Sequence, residues 1–163
     1  MTTKKIKTRV IFLLILICIL GCNTITSNDN WSSFGNNPQN TGNQSGDAPK
    51  KLTELKWKFK TEDAIFSSPA VVDETVFFGG YDNYMYAVDV KTGQEKWKFK
   101  TQDKIFSSPA VANGLVFIGS YDNYMYAVDV KTGQEKWKFK TEDGIGSSPT
   151  VVEEMVFFGS EDD

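Results

Sequence analysis

The chain has 163 residues, 18 Lys and Arg against 21 Asp and Glu, a formal net charge of −3 and no histidine. That length holds one ordinary domain at most. An acidic balance, with no basic cluster beyond alternating lysines, argues against nucleic-acid binding, and two cysteines leave no room for a disulfide framework.

Residues 1–21 read as a removable secretory signal. Lys4, Lys5, Lys7 and Arg9 form a positive stretch, and 10–20 then run apolar without a charge. The run is too short to span a bilayer, which takes about 20 residues. It ends in Ile19-Leu20-Gly21-Cys22, which resembles the lipobox of prokaryotic lipoproteins. The resemblance implies cleavage before Cys22 and attachment of lipid to it; an ordinary secretory signal with an incidental Cys22 is the alternative. Cys18 lies inside the segment to be removed, so the mature chain keeps no pair to oxidise, and its formal charge falls from −3 to −7.

Residues 22–52 are rich in Asn, Ser, Thr, Gly and Pro and read as a tether that holds the folded part off a membrane. Trp31 and Phe34, within 31–42, are more than a linker needs. That stretch either remains linker or packs on the domain that follows, where large apolar side chains gain stability on burial.

From Trp57 the chain repeats. Residues 57–96 align with 97–136 at a 40-residue period, differing at 62, 64, 72, 73, 74, 75, 78 and 80, and a third copy starts at Trp137. Within one copy, 68–72 reads as a short strand of small residues, 75–79 as a β-branched and aromatic strand, and 84–89 and 95–100 as two more. Asp73-Glu74 (Asn113-Gly114 in the next copy), Asp82-Asn83 and Lys91-Thr92-Gly93 supply the turns. Four short strands in an antiparallel meander, with no helical period, give the arithmetic of a β-propeller blade. The predicted fold class is all-β. Side chains grow from Ser, Pro and Ala in the first strand to Trp and Phe in the fourth, which places the first nearest the axis. In 54–60, Leu55, Trp57 and Phe59 alternate with Lys56, Lys58 and Lys60, aromatics on one face and ammoniums on the other. Lysines on an outer strand also discourage edge-to-edge pairing.

Ala87-x-Asp89-x-x-Thr92-Gly93-x-x-x-Trp97 recurs as Ala127, Asp129, Thr132, Gly133 and Trp137. It resembles the tryptophan-docking motif of the pyrroloquinoline-quinone (PQQ) type propeller repeat, and "SSPAV" and "VFFGGYDNYMYAVD" are similar to other segments of that repeat. The resemblance covers 53–163 and is nearer to the barrel-assembly lipoproteins than to the PQQ dehydrogenases. It implies that Trp97 and Trp137 lie flat in blade interfaces over glycine turns, with Asp89 and Asp129 fixing the turn before each. Physics supports the role, since a Trp buries much area and a Gly admits a ring close to its backbone. Trp57 has only "DAPKKLTELKW" before it, so a different packing partner is expected for it.

The resemblance to PQQ dehydrogenases would imply a calcium ion held by carboxylate and amide ligands, a catalytic aspartate and a vicinal cysteine pair. The mature chain has no such pair, and Asp82, Asp122 and Asp162 sit in repeat-equivalent turns, where Asp favours local backbone hydrogen bonds. No catalytic, cofactor-binding or metal residue is therefore expected. Tyr81, Tyr84 and Tyr86 could form a sugar or peptide platform, but their recurrence every repeat reads as blade packing.

A closed propeller needs at least four blades, and 53–163 supply an outer strand, two whole blades and half of a third. The chain is then a piece of a longer product, one of several copies that build a ring, or a short open arc whose bare blade faces favour self-association. Near-identical blades suit a scaffold. The expected function is a non-catalytic, lipid-anchored, extracytoplasmic propeller that presents loops to a protein partner at a membrane surface. A fragment of a PQQ-dependent oxidoreductase, with PQQ and calcium as cofactors, and a sensor ectodomain are the alternatives. In the third copy Gly144 replaces Ala64 and Lys104, Gly146 replaces Phe66 and Phe106, and Glu161 replaces Tyr81 and Tyr121. These changes thin the aromatic packing.

Overall fold

The computed structural model describes Leu13–Leu16 and residues 54–162, and every regular element among them is a strand. β1 (Leu13–Leu16) pairs antiparallel with β2 (Trp57–Lys60), Leu13 opposite Lys60 and Leu16 opposite Trp57. The first complete blade holds β3 (Ala70–Val72), β4 (Thr75–Gly79), β5 (Tyr84–Asp89) and β6 (Glu95–Lys100) in the order β3-β4-β5-β6. The second repeats it with β7 (Ala110–Ala112), β8 (Leu115–Gly119), β9 (Tyr124–Asp129) and β10 (Glu135–Lys140). A third begins with β11 (Thr150–Val152) and β12 (Met155–Phe157). Every pairing is antiparallel, as in a propeller blade built from consecutive hairpins.

The hairpins form where the turn chemistry allows. Asp73 and Glu74 both take positive φ, 47° and 59°, as do Asn113 and Gly114 at 52° and 75°. Two successive left-handed residues give the turn whose twist matches that of the flanking strands. The first strand of each blade is shorter than the 68–72 read from sequence. Ser67 Oγ instead donates to the Gly79 carbonyl at 2.9 Å and accepts from the Gly79 N–H at 2.8 Å, while the Ser68 N–H leaves its own blade for Ser108 Oγ at 2.8 Å. The Ser108 N–H goes on to Ser148 Oγ at 3.0 Å. These links tie the inner strands of successive blades together, and β7 lies against both β3 and β11. The small-residue strand is therefore innermost, where the blades converge.

Each complete blade packs on both faces. Alternation along β4 sends Val76 and Phe78 toward β2, where they pack with Tyr86 and Val88 under Trp57 and Phe59. Phe77 and Met85 face the next blade and pack with Ile105, Val116, Ile118 and Tyr126. The same division repeats between the second blade and the third, around Phe117, Met125 and Ile145. A strand buried on both faces reads as an unbroken apolar run, which explains Val76-Phe77-Phe78. Phe139 and Phe157 are more than half exposed.

Candidate binding face

Strand direction divides the loops between two ends of the blades. At one end lie the β3–β4 turns and the β5–β6 turns; at the other lie the 80–83 and 120–123 turns with the long connections 61–69, 101–109 and 141–149. The two ends carry different chemistry.

The β5–β6 turn is locked by Asp89, whose Oδ1 accepts from the Lys91 N–H at 3.0 Å, the Thr92 N–H at 2.8 Å and Thr92 Oγ1 at 2.9 Å. The Gly93 N–H closes the turn on the Asp89 carbonyl at 2.9 Å, with Gly93 at φ 71°. Asp129, Thr132 and Gly133 reproduce the arrangement. These bonds hold the Asp129 carboxyl down at about 2, first through the Thr132 N–H and then through Lys136, and lower Asp89 for the same leading reason. Ala87 and Ala127 are buried, each directly opposite the Trp of its own blade, Trp97 and Trp137.

The tryptophans, however, seat forward. Trp97 packs on the turn of the following blade: its Nε1–H donates to the Val130 carbonyl at 2.9 Å, and a Cβ on Gly133 would stand 2.7 Å from its Cδ2. Trp57 does the same one repeat earlier, donating to Val90 at 2.8 Å with Gly93 beneath it. The expectation of a different partner for Trp57 is thus corrected. Its lack of a preceding motif is irrelevant because the glycine that it covers comes later in the chain. Trp137 leans on Phe117, ring centroids 5.8 Å apart, and remains 40 % exposed. Cys22, 31–42 and the tether fall outside the described residues.

A hollow of about 790 Å³ opens at this end between the first two blades, but Asp129 and Lys136, which line it, already pair at 3.2 Å.

At the opposite end the carboxylates are also engaged. Asp82 accepts the Tyr86 hydroxyl at 2.7 Å and the Glu62 N–H at 3.0 Å, and Asp122 accepts the Tyr126 hydroxyl at 2.8 Å and the Gln102 N–H at 2.7 Å. Each aspartate thus ties its turn to the connection that enters the same blade. Burial first, and the aspartate second, pushes Tyr86 and Tyr126 well above the ordinary tyrosine range. Asp162 accepts the Glu142 N–H at 3.3 Å in the same way. Among the described residues no three His, Cys, Asp or Glu side chains converge as metal ligands. Both oxygens of Asp82 and of Asp122 thus serve their own loops.

What this end displays is aromatic. Phe66 and Phe106 stack at 5.0 Å, 20° from parallel, and Tyr81 meets both at 5.0 and 5.1 Å. Lys104 Nζ lies between two tyrosines, 5.3 Å from the Tyr81 centroid and 4.7 Å from that of Tyr121. Phe66 is 58 % exposed. Tyr84 is flanked instead by Lys98 and Lys100. At the junction with the third copy the Tyr121 hydroxyl donates to Glu161 Oε1 at 2.6 Å, which with some burial pushes its ionisation up to about 12.

A family model described as outer membrane protein assembly factor BamB matches residues 50–163. No curated protein matches the chain. Among solved structures, a europium-containing methanol dehydrogenase is 28% identical with a TM-score of 0.68, over 78% of this chain and 26% of that one. The quinohemoprotein alcohol dehydrogenase ADHIIG from Pseudomonas putida HK5 is 25% identical with a TM-score of 0.71, over 82% and 23%. BamB from Moraxella catarrhalis, at 18% identity and a TM-score of 0.59 over 68% and 35%, shares the fold. The chain thus spans about a quarter to a third of the length of these structures.

Proposed function

The chain belongs to the family described as outer membrane protein assembly factor BamB, and on that premise we propose that it is a non-catalytic propeller scaffold which presents its loops to a protein partner at a membrane surface. One observation carries this reading. The loop carboxylates at the aromatic end, Asp82 and Asp122, are committed to tyrosine hydroxyls and backbone amides in identical fashion in both blades, so they serve loop rigidity rather than chemistry. Rigid loops that carry exposed aromatic side chains suit protein recognition.

In the same proposal residues 1–21 are a lipoprotein signal, Cys22 carries the lipid, 22–52 form the tether, and 53–163 form the partial propeller outside the cytoplasm. The exposed Trp137, Phe139 and Phe157 offer a surface for self-association, and no nucleic acid is involved. The test is affinity capture of the tagged full chain from detergent-solubilised membranes, beside Cys22→Ser. A stable partner that depends on the loops, and lipid on the wild type alone, are expected. No partner under conditions that preserve membrane complexes would overturn the reading.

The likeness to the methanol and alcohol dehydrogenases favours a second reading, a segment of a quinone-dependent oxidoreductase. Adding PQQ and calcium to the full chain and looking for bound-cofactor absorbance separates the two; the scaffold reading expects none. A sensor ectodomain is a third reading, with no residue here that favours it.

A further inference from the structure

Positions 66, 106 and 146 are repeat-equivalent, and only the first two carry a phenyl ring. Phe66 and Phe106 stack at 5.0 Å, 20° from parallel, and the Tyr81 ring meets Phe106 edge-on at 5.1 Å and 72°. One repeat further, the residue that Phe106 and Tyr121 would share as a partner is Gly146. The backbone keeps its course there: the Ile145 N–H donates to the Ser120 carbonyl at 3.0 Å, as the Ile105 N–H does to the Gly80 carbonyl at 3.1 Å. Only the ring is missing. Its neighbours, Phe106, Tyr121, Gly146 and Glu161, line a cleft of about 380 Å³.

The hydroxyl groups around this cleft are spent within the protein. Tyr121 donates to Glu161 Oε1 at 2.6 Å, and its phenol crosses the bare Gly146, where a Cβ would stand 3.1 Å from the phenol oxygen. Ser147 Oγ donates to the Gly159 carbonyl at 2.7 Å, and Ser160 Oγ donates to Asp162. A guest that needs a hydroxyl donor would have to break one of these bonds, whereas a hydrocarbon ring breaks none. What the cleft offers is ring surface and glycine backbone.

We propose that this cleft receives a phenylalanine side chain of a protein partner, its ring stacked on Phe106 in the place that position 146 leaves empty. The protein itself displays the occupant. One junction earlier, Phe106 lies on Phe66 and against the edge of Tyr81 in the same way. Stacked and edge-to-face contacts are the arrangements that aromatic pairs favour, because a ring has a negative face and a positive edge. The guest enters from solvent and needs no Cβ at Gly146, so the Tyr121 bond to Glu161 stays in place. Aromatic side chains are also enriched at the cores of protein interfaces. That the ring belongs to a polypeptide rests on the scaffold reading; the preference of the cleft for a ring does not.

The test is an amide-resolved NMR titration of the full chain in detergent micelles with N-acetyl-phenylalanine methylamide. N-acetyl-leucine methylamide serves as the apolar probe without a ring. The phenylalanine probe is expected to shift the amides of Phe106, Tyr121 and Gly146 saturably, with the leucine probe about fivefold weaker, the scale of one aromatic pair beyond its buried area. Phe106→Leu is expected to remove that preference. Gly146→Phe fills the place from within and is expected to abolish probe binding and to lower capture of the membrane partner. The rest of its spectrum should stay in place, which separates a filled cleft from a lost fold. Equal binding of the two probes, shifts centred on Phe66 and Tyr81 instead, or no saturable response overturns the proposal. Partner capture that Gly146→Phe leaves unchanged overturns it as well and spares the scaffold reading. A saturable response with no partner captured by the wild type sinks the scaffold reading, and with it the polypeptide as the source of the ring.

Discussion

The indole of Trp97 and the carbonyl of Val130 meet at 2.9 Å across the junction of two blades, 33 residues apart in sequence. The contact joins the last strand of one unit to the turn of the next, so the junction is held by a side chain from one blade and a bare glycine from the other.

Removing that side chain should be costly. Trp97→Ala empties an aromatic site and orphans a carbonyl, and a loss of about 3–5 kcal/mol is expected. Trp137, with its ring 40 % exposed, should cost under about 1.5 kcal/mol in the same 163-residue chain, since far less of it is removed from water. Urea unfolding of both variants measures the contrast; equal losses would contradict the forward seating.

The glycine side of the contact separates space from backbone strain. Gly133 and Gly114 both hold left-handed φ, 70° and 75°, but a Cβ at 133 would strike Trp97 whereas one at 114 meets nothing within 4 Å. Gly114→Ala should cost about 1 kcal/mol from the left-handed conformation alone. Gly133→Ala adds displacement of the indole and should cost at least about 2 kcal/mol more. Thermal or urea melts of the pair give the difference.

Ser108 links three blades, accepting from Ser68 and sending its own N–H to Ser148. Ser108→Ala leaves the Ser68 N–H without its acceptor in a poorly hydrated place, at a cost of about 1–3 kcal/mol. Faster amide exchange at Ser68, with Ser148 unaffected, is the specific signature.

Acid should loosen the β5–β6 turn and its equivalent, β9–β10. The folded Asp129 carboxyl titrates near 2, below the roughly 3.9 of an unfolded chain. Its contribution is therefore complete above about pH 4 and is lost as pH falls through 2. Asp89, lowered likewise, acts in the same direction. The melting temperature should hold from pH 7 to about 5 and decline below 4, with a shallower decline in Asp129→Asn.

The strands 75–79, 84–89 and 95–100 were legible to the residue, because Asp, Asn and Gly mark each turn and β-branched or aromatic residues fill the runs between. The first strand was read two residues too long: Ser68 and Pro69 look like part of an extended run, yet the Ser68 amide bonds to Ser108 of the next blade. The asymmetry of the tryptophan contact was hidden for a different reason. A motif that contains both a glycine and a tryptophan suggests that they touch, but each meets the counterpart from a neighbouring copy, and identical copies make the two choices indistinguishable along the chain. Likewise Gly146 and Glu161 were visible as departures from the repeat, but their shared wall with Phe106 and Tyr121 comes from folding alone.

Forward seating of the indoles gives the chain a direction in time. A polypeptide that leaves the ribosome or crosses a membrane with its amino terminus first presents each indole before the turn that will cover it exists. The ring stays uncovered until the 33 residues to its carbonyl acceptor have emerged. Every finished blade therefore waits on its successor, and an interruption in delivery strands one sticky aromatic at the growing end, where a chaperone would find it.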